Sequence, residues 1–268
     1  MMICRWFIWF VLYSMVGWLY ESTLCSITGR KLVNRGFLNG PYCPIYGAGA
    51  VLDLLLLGWI DNPVLIFFAG MLVTGTVEYF TSWAMEKLFD AKWWDYSGWK
   101  FNLNGRICLA GLVVFGAMSV LMIEVIHPFV VRMTDLLPDI AVIVLAVVLA
   151  VVMAADTVFT VVSFKDFNKK LQEIQTFIHE NVANSAEFFS KTKEQLMESE
   201  LHARASARLA RFREKLNGQE RRLMKAFPRW KSVRYNDVLV KIRELAAGSR
   251  LWAKKANKDE DTDKNEEA

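Results

Sequence analysis

Five long, nearly uncharged segments constrain the fold of this chain more strongly than any other feature. They cover residues 6–27, 41–60, 63–89, 105–126 and 138–164. A helix needs about 20 mostly apolar residues to cross the hydrocarbon core of a bilayer, which is about 30 Å thick. Within that core a helix satisfies its own backbone hydrogen bonds. The pattern therefore predicts an all-α, polytopic membrane helix bundle of five spans.

Charge divides the chain into two parts. Residues 1–164 hold 9 Lys and Arg against 11 Asp and Glu, whereas residues 165–268 hold 23 against 17. We therefore predict a transmembrane domain over residues 1–164 and a cytoplasmic helical domain over residues 165–256. The last segment, residues 257–268, is acidic and almost free of apolar residues, a composition typical of disorder.

The distribution of Lys and Arg among the short loops predicts how the spans are oriented, because cytoplasmic loops are enriched in these residues. With the N-terminus outside, the outer side carries only Arg5 and Arg132. The inner side then carries the basic tail and a set of loop cations: Arg30, Lys31, Arg35, Lys87, Lys92, Lys100 and Arg106. We predict a multi-pass protein of the cell membrane with its N-terminus outside and its C-terminus in the cytoplasm.

A shift of 65 residues aligns the first two spans with the next two without a gap. Identical residues then coincide at several positions: Trp18 with Trp83, Glu21 with Glu86, Leu38-Asn39-Gly40 with Leu103-Asn104-Gly105, and Cys43 with Cys108. Internal repeats of this kind are frequent in transporter folds. The bundle is thus predicted to contain two parallel hairpin repeats plus one further span, with both Asn-Gly loops on the cytoplasmic face.

Carboxylates occur within the apolar segments, where an ionisable group costs roughly 2.5–3.5 kcal/mol or more. The residues concerned are Glu21, Asp53, Glu78, Glu86 and Asp156. Such groups face the bundle interior or a wet cavity. Two interpretations remain open: hydrogen bonding between helices, or a polar path for a substrate or ion that opens to the cytoplasm. The nearest cations, Arg35 and Arg106, would lie at the mouth of such a path.

Two stretches between the spans are unsuited to a regular helix. Gly40-Pro41 would break a helix, because proline lacks an N–H and disfavours helical backbone in the residue before it. Pro41 itself suits the first turn of the second span. Residues 93–106 mix Trp and Tyr with Asp and Asn more densely than interfacial anchoring requires. We predict that both loops receive a partner, through these residues: Arg35, Asn39, Gly40, Pro41, Tyr42, Pro44, Tyr46, Trp94, Asp95, Tyr96, Asn104, Gly105 and Arg106.

The tail, residues 165–268, changes to a helical period. Apolar residues recur on one face at Phe167, Leu171, Ile174, Ile178 and Val182, which predicts an amphipathic helix. An Arg-rich run over residues 204–222 follows, and Asn217-Gly218 predicts a helix end. Because acidic residues interleave with the arginines and aromatic residues are sparse, contact with anionic lipid or protein is favoured over nucleic acid.

The motifs of several enzyme classes are absent from the sequence. There is no Gly-rich loop ending in Lys-Ser/Thr, no His-Glu-x-x-His and no Gly-x-Ser-x-Gly. The four cysteines lack Cys-x-x-Cys spacing and are predicted to be buried thiols rather than metal ligands or disulfides: Cys4, Cys25, Cys43 and Cys108. No catalytic residue, metal or cofactor is therefore assigned, and a membrane enzyme that uses a carboxylate stays a minority alternative.

Several of these stretches resemble the CmpB-like, type IV ABC-transporter permease family of Gram-positive bacteria. The resemblance covers about residues 5–160 and rests on five pieces of sequence: residues 17–21, residues 35–47, Glu78-Tyr79, residues 93–97 and residues 104–106. It implies an integral membrane permease-like subunit that couples to a separate ATPase through its cytoplasmic loops. The alternative is a membrane scaffold, or a protein that binds or modifies envelope lipids. Expected partners are an ATPase subunit, membrane lipids and a second copy of the chain, without nucleic acid.

Overall fold

The protein is described here by a computed structural model. The structure describes residues 1–30, 32–186, 211, 216–227, 230–236 and 239–240. Two compact units are present, one formed by Met1–Phe164 with Gln219–Trp230 and the other by Lys165–Gly218 with Lys231–Ala268. The predicted acidic segment, residues 257–268, lies outside the described residues.

Helices make up almost all of the regular structure. They are α1 (Met2–Gly29), α2 (Pro44–Leu57), α3 (Pro63–Phe89), α4 (Leu109–Leu121), a π-helical turn (Met122–Ile126), α5 (His127–Asp135), α6 (Asp139–Ala186) and α7 (Gly218–Ala226). Four two-residue strands complete the described elements: β1 (Ala91–Lys92), β2 (Asn102–Leu103), β3 (Ile107–Cys108) and β4 (Lys231–Ser232). Strands β2 and β3 pair antiparallel, with Asn102 opposite Cys108.

Within the described part of the chain, four helical stretches are long and apolar enough to cross a bilayer. They are Met2–Thr28, Pro63–Phe89, Leu109–Asp135 and Asp139–Thr176. The protein is therefore a helical membrane protein. The predicted span over residues 41–60 is instead the 14-residue helix α2, which is about 21 Å long at 1.5 Å per residue. Its length alone leaves the predicted count of five spans open.

Helix α2 starts later than predicted because proline sets its start, and it ends earlier, with Gly58 as its C-cap. Residues 41–43 lie in a loop, Cys43 is the N-cap with extended backbone, and Pro44 occupies the first turn. Proline fits there because its missing N–H has no intrahelical partner to lose. The sequence predicted that the helix begins at Pro41, but it begins at Pro44.

Helices α1 and α2 pack closely through glycine. A Cβ atom on Gly47 would collide with the Ser14 hydroxyl and the Phe10 carbonyl oxygen, so that only glycine allows this approach. The Cys43 amide donates to the Ser14 carbonyl at 2.9 Å. Ser14 lies twelve residues after the first residue of α1 and fifteen before its last. Helix α2 therefore begins beside the middle of α1, deep in the bundle.

Helices α3 and α4 form a second close pair. Cβ atoms added at Gly70, Gly75 or Gly116 would each meet a neighbouring side chain across this contact. Cys108 is the N-cap of α4, as Cys43 is of α2, and its sulfur accepts from the Gly111 amide at 3.4 Å. The predicted 65-residue repeat thus places equivalent cysteines at equivalent caps, and the repeat itself stays a prediction.

The bundle has two distinct ends. One end, the loop face, holds the first loop (residues 30–43) and the second loop (residues 90–108), whose Phe37 and Trp93 rings lie 5.0 Å apart. At the opposite end Trp9 donates to the Thr134 hydroxyl at 3.1 Å, and Arg5 pairs with Asp135. Helices α1 and α3 run between these ends in opposite directions to α2 and α4.

In the second unit three residues of the predicted apolar stripe are buried. They are Phe167, Leu171 and Ile174. The remaining two residues of the stripe, Ile178 and Val182, lie where the structure describes only the backbone. Leu216 and Asn217 are non-helical, but the next helix begins at once with Gly218. Most of the Arg-rich run, namely residues 204–210 and 212–215, lies outside the described residues.

Candidate functional site: a re-entrant loop and the cavity behind it

The first loop re-enters the bundle, because it must reach the start of α2 beside Ser14. Irregular backbone at this depth is tolerated only where protein or a wet cavity satisfies its polar groups. The partners of the loop therefore show how it is held. They come from α1, from α6 and from α7.

Asp156 of α6 is the main acceptor for the tip of the loop. It accepts from the Asn39 amide at 3.1 Å, the Asn39 side-chain nitrogen at 2.9 Å, the Gly40 amide at 2.8 Å and the Tyr42 hydroxyl at 2.6 Å. A carboxylate is the strongest side-chain acceptor for such donors. Burial, together with the hydrogen bond to Asp156, raises the pKa of Tyr42. Asp156 thus anchors the loop to α6.

Side chains of α1 hold the other half of the loop. The Arg35 amide donates to the Ser22 hydroxyl at 3.2 Å. Trp18 donates to the Asn34 side-chain oxygen at 2.7 Å, and the nitrogen of that side chain donates to the Asn39 carbonyl at 3.0 Å. Asn34 therefore bridges the helix and the turn of the loop.

Arg222 of α7 satisfies two carbonyl groups of the loop. Its terminal nitrogens donate to the Gly36 oxygen at 2.8 Å and the Phe37 oxygen at 2.7 Å. Burial lowers the pKa of this guanidinium below its usual range. Arg35 donates in the other direction, to the Ala226 carbonyl, and lies 4.4 Å from the ring centre of Phe227. The two arginines link the loop to α7 reciprocally.

An aromatic cluster closes the loop face around these contacts. Its members come from both loops, from α3 and α6, and from the segment that follows α7: Phe37, Phe89, Trp93, Phe164, Phe227 and Trp230. Trp93 is central, with ring centres 5.0 Å from Phe227 and 5.1 Å from Phe164. Buried rings in this arrangement contribute about 0.5–1.5 kcal/mol per pair beyond their area.

The second loop is held by a turn with positive φ angles. Asn104 has φ 53° and Gly105 has φ 67°, a region that favours Asn and Gly. The turn lets the Gly105 carbonyl accept from the Tyr96 amide at 2.8 Å, and the Arg106 carbonyl accepts from the Trp94 side chain at 3.0 Å. Asp95 caps the turn locally, accepting from the Ser97 amide at 3.0 Å.

Each loop places an arginine on a predicted path carboxylate. Arg35 lies 3.6 Å from Glu21, which also accepts from the Tyr46 hydroxyl at 2.7 Å. Arg106 pairs with Glu86 at 2.6 Å. Glu78 accepts instead from the hydroxyl of Tyr96, at 3.3 Å. Burial, with the nearby Glu78 carboxylate, raises the pKa of that tyrosine.

A cavity of about 760 Å³ lies behind the loops. The predicted residues brought together in its wall are Glu21, Arg35, Pro44, Tyr46, Asp53, Glu78, Trp94 and Tyr96. The predicted residues outside the wall are Asn39, Gly40, Pro41, Tyr42, Glu86, Asp95, Asn104, Gly105, Arg106 and Asp156. Phe227, which sequence reasoning missed, contributes to the wall, and most of the other lining is apolar.

Sequence reasoning also missed Arg222, Gln219 and Trp230. The sequence did not predict their contacts, because the Arg-rich run indicated contact with lipid or protein and because α7 has only nine residues. A Trp shortly after an Arg and a Phe in an otherwise polar segment was the available hint. Long-range contacts such as Gln219 to Thr160 at 3.3 Å cannot be derived from local pattern.

The apolar helices and the re-entrant loop define a polytopic helical membrane protein. The chain belongs to the family described as "Putative ABC-transporter type IV", which matches residues 8–161. This result confirms the resemblance that the loop motifs suggested, and it supports a membrane transport component. No curated protein and no solved structure matches the chain.

Proposed function

We propose that the chain is the permease-like subunit of an ABC transporter in the cell membrane, coupled to a separate ATPase through its loop face. The family membership supports this proposal. The sequence contains no nucleotide-binding Gly-rich loop, so energy from ATP must come from another chain. The loop face is cytoplasmic in this proposal, because it carries most of the Lys and Arg of the spanning region.

The observation that carries the proposal is the direct connection between loops and cavity. Arg35 belongs to the first loop, contacts Glu21 in the cavity wall and binds the Ala226 carbonyl of α7. Tyr96 belongs to the second loop and binds Glu78 in the same wall. A partner that displaces either loop would therefore change the contacts of a cavity carboxylate, as coupling of ATP hydrolysis to transport requires.

Three exposed apolar side chains on the second loop are the proposed docking point for the ATPase: Trp99, Phe101 and Leu103. Phe101 is 80% exposed, although it has a positive φ angle of 54° that is uncommon for a bulky residue. Exposed aromatic residues are enriched at protein interfaces. They extend the set of docking residues predicted from the sequence.

We also propose that the first four helices of the bundle are two parallel hairpin repeats. The shared N-cap positions of Cys43 and Cys108 support this arrangement. The equivalent carboxylates Glu21 and Glu86 each pair with an arginine of the following loop, although these arginines do not coincide under the shift of 65 residues. Residues 165–256 are proposed to form a cytoplasmic helical domain. The repeat would place one docking loop on each half of the transporter.

Co-purification tests the permease role. The tagged chain, extracted from its native membrane in mild detergent, should retain an ATPase whose hydrolysis rate depends on the chain. Phe101→Asn should abolish retention, since Asn suits the positive φ angle and removes the apolar ring. Trp59→Asn is the matched control, because Trp59 is 77% exposed at the opposite end of the bundle. Failure to retain any ATPase would contradict the proposal and favour the scaffold or lipid-binding alternative.

A further inference from the structure

Two carboxylates in the cavity wall are buried without full hydrogen bonding. Glu78 is 6% exposed and Asp53 is 2% exposed. Among the described residues no group donates a hydrogen bond to Oε2 of Glu78 or to Oδ1 of Asp53. Tyr96 donates only to the other oxygen of Glu78, Oε1. A buried carboxylate oxygen with no donor is costly, so these atoms indicate a ligand that donates to them.

The described cations nearest to the cavity are already engaged. Arg35 lines the same wall, but it contacts Glu21, the Ala226 carbonyl and the Phe227 ring. Arg106 pairs with Glu86 outside the wall. Helix α2, which carries Asp53, contains no Lys or Arg, and α3 has only Lys87, in its last turn. Among the ion pairs of the described residues none involves Glu78 or Asp53, so a cationic ligand could pair with them.

The rest of the wall suits an apolar body. It includes aromatic and aliphatic side chains from α1, α2, α4 and α6, among them Tyr13, Phe115, Met118 and Val161. Aromatic faces attract organic cations by about 0.5–2 kcal/mol each. The volume of about 760 Å³ lies within the usual range for small-molecule sites. Shape and chemistry therefore favour an organic ligand over an inorganic ion.

We propose that this cavity binds an organic cation with an apolar body, whose N–H groups are accepted by the free oxygens of Glu78 and Asp53. Binding depends only on the cavity and its two carboxylates. The further statement that this cation is the transported substrate rests on the proposed permease function. The two statements can fail separately.

Ethidium is a suitable probe, because it is a monovalent aromatic cation with amino groups and its fluorescence rises in apolar sites. The full chain in detergent should bind it saturably. Glu78→Gln and Asp53→Asn should each weaken ethidium binding about tenfold or more, since each removes a carboxylate charge that would form a buried pair with the cation. Glu124→Gln is the matched control, because Glu124 is an exposed carboxylate in the π-helical turn. This variant should bind ethidium as tightly as the wild type does.

Nile red, a neutral dye of similar shape, reports the apolar wall and the integrity of the fold. Its affinity should be the same in all these variants. Glu78→Asp keeps the charge and should bind ethidium more tightly than Glu78→Gln, which separates charge from shape.

Equal ethidium affinity in wild type, Glu78→Gln and Asp53→Asn would overturn the proposal, as would absence of saturable binding to the wild type. If Glu78→Gln fails to fold, the comparison of Asp53→Asn with Glu124→Gln decides. None of these outcomes depends on an ATPase, so loss of co-purification with intact ethidium binding would reject the permease role alone.

Discussion

Arg222 shows how one residue can decide the state of a loop. Its guanidinium provides two donors to carbonyl groups of the first loop, at Gly36 and Phe37. Without it these carbonyls would lose their charged hydrogen-bond partner. Arg222 thus holds a loop, although it belongs to a basic run that the sequence predicted to contact anionic lipid or protein.

Substitution of Arg222 should destabilise the protein. We expect Arg222→Ala to lower the free energy of unfolding by about 1.5–3 kcal/mol, the usual value of hydrogen bonds to a charged group. Arg222→Lys should recover only part of this loss, because lysine lacks the planar fork that reaches both carbonyls. Thermal unfolding of the purified protein measures the effect. Lys225→Ala, at an exposed position of the same helix, is the control and should differ little from the wild type.

Cys43 should be an unreactive thiol. Burial, together with the negative charge of Glu21, raises its pKa to about 12. At pH 8 the thiolate, which is the reactive form, would then be only about one part in ten thousand. A variant with Cys43 as its only cysteine should react slowly with N-ethylmaleimide when folded and rapidly in denaturant. Equal rates in both conditions would contradict the burial of this residue.

At the scale of elements, the long helices were predictable and the short ones were not. Apolar runs predicted α1 and α3 with bounds close to those observed, because in a membrane length and hydropathy nearly determine a helix. Helix α2 is shorter than predicted at both ends, because Cys43 and Pro44 define its start and Gly58 is its C-cap. Helix α7 escaped prediction because its position depends on contacts with loops more than 180 residues away in sequence.

The candidate site was predictable in its residue types but not in its connections. The carboxylates stood out because charge is rare in apolar segments. The sequence did not show that these carboxylates lie in separate environments. Glu78 and Asp53 line the cavity, whereas Asp156 accepts hydrogen bonds from the first loop. That division depends on the re-entry of the loop, for which polar residues such as Ser22 on α1 were the local sign.

The close contact of α1 with α2 can be tested through two glycines of the same helix. Gly47→Ala places a methyl group against the Phe10 carbonyl and the Ser14 side chain, so the helices must separate. We expect a loss of about 1–3 kcal/mol, as for other overpacked sites. Gly49→Ala is the control, because its nearest neighbour, Thr74, lies 3.9 Å from the added atom. Thermal unfolding should show a lower midpoint for the Gly47 variant only.

At the scale of the whole molecule, the placement of charge predicts which face meets the cytoplasm. The loop face carries the inner cations, among them Arg35 and Arg106, whereas the opposite end carries Arg5 and Arg132. In a cysteine-free background, an impermeant maleimide added to intact cells should label Leu136→Cys, an exposed position at the opposite end. It should not label Leu32→Cys, an exposed position on the loop face, until the membrane is permeabilised. Labelling of Leu32→Cys in intact cells would reverse the orientation, and an ATPase in the cytoplasm could then not reach the loops that we propose as its docking site.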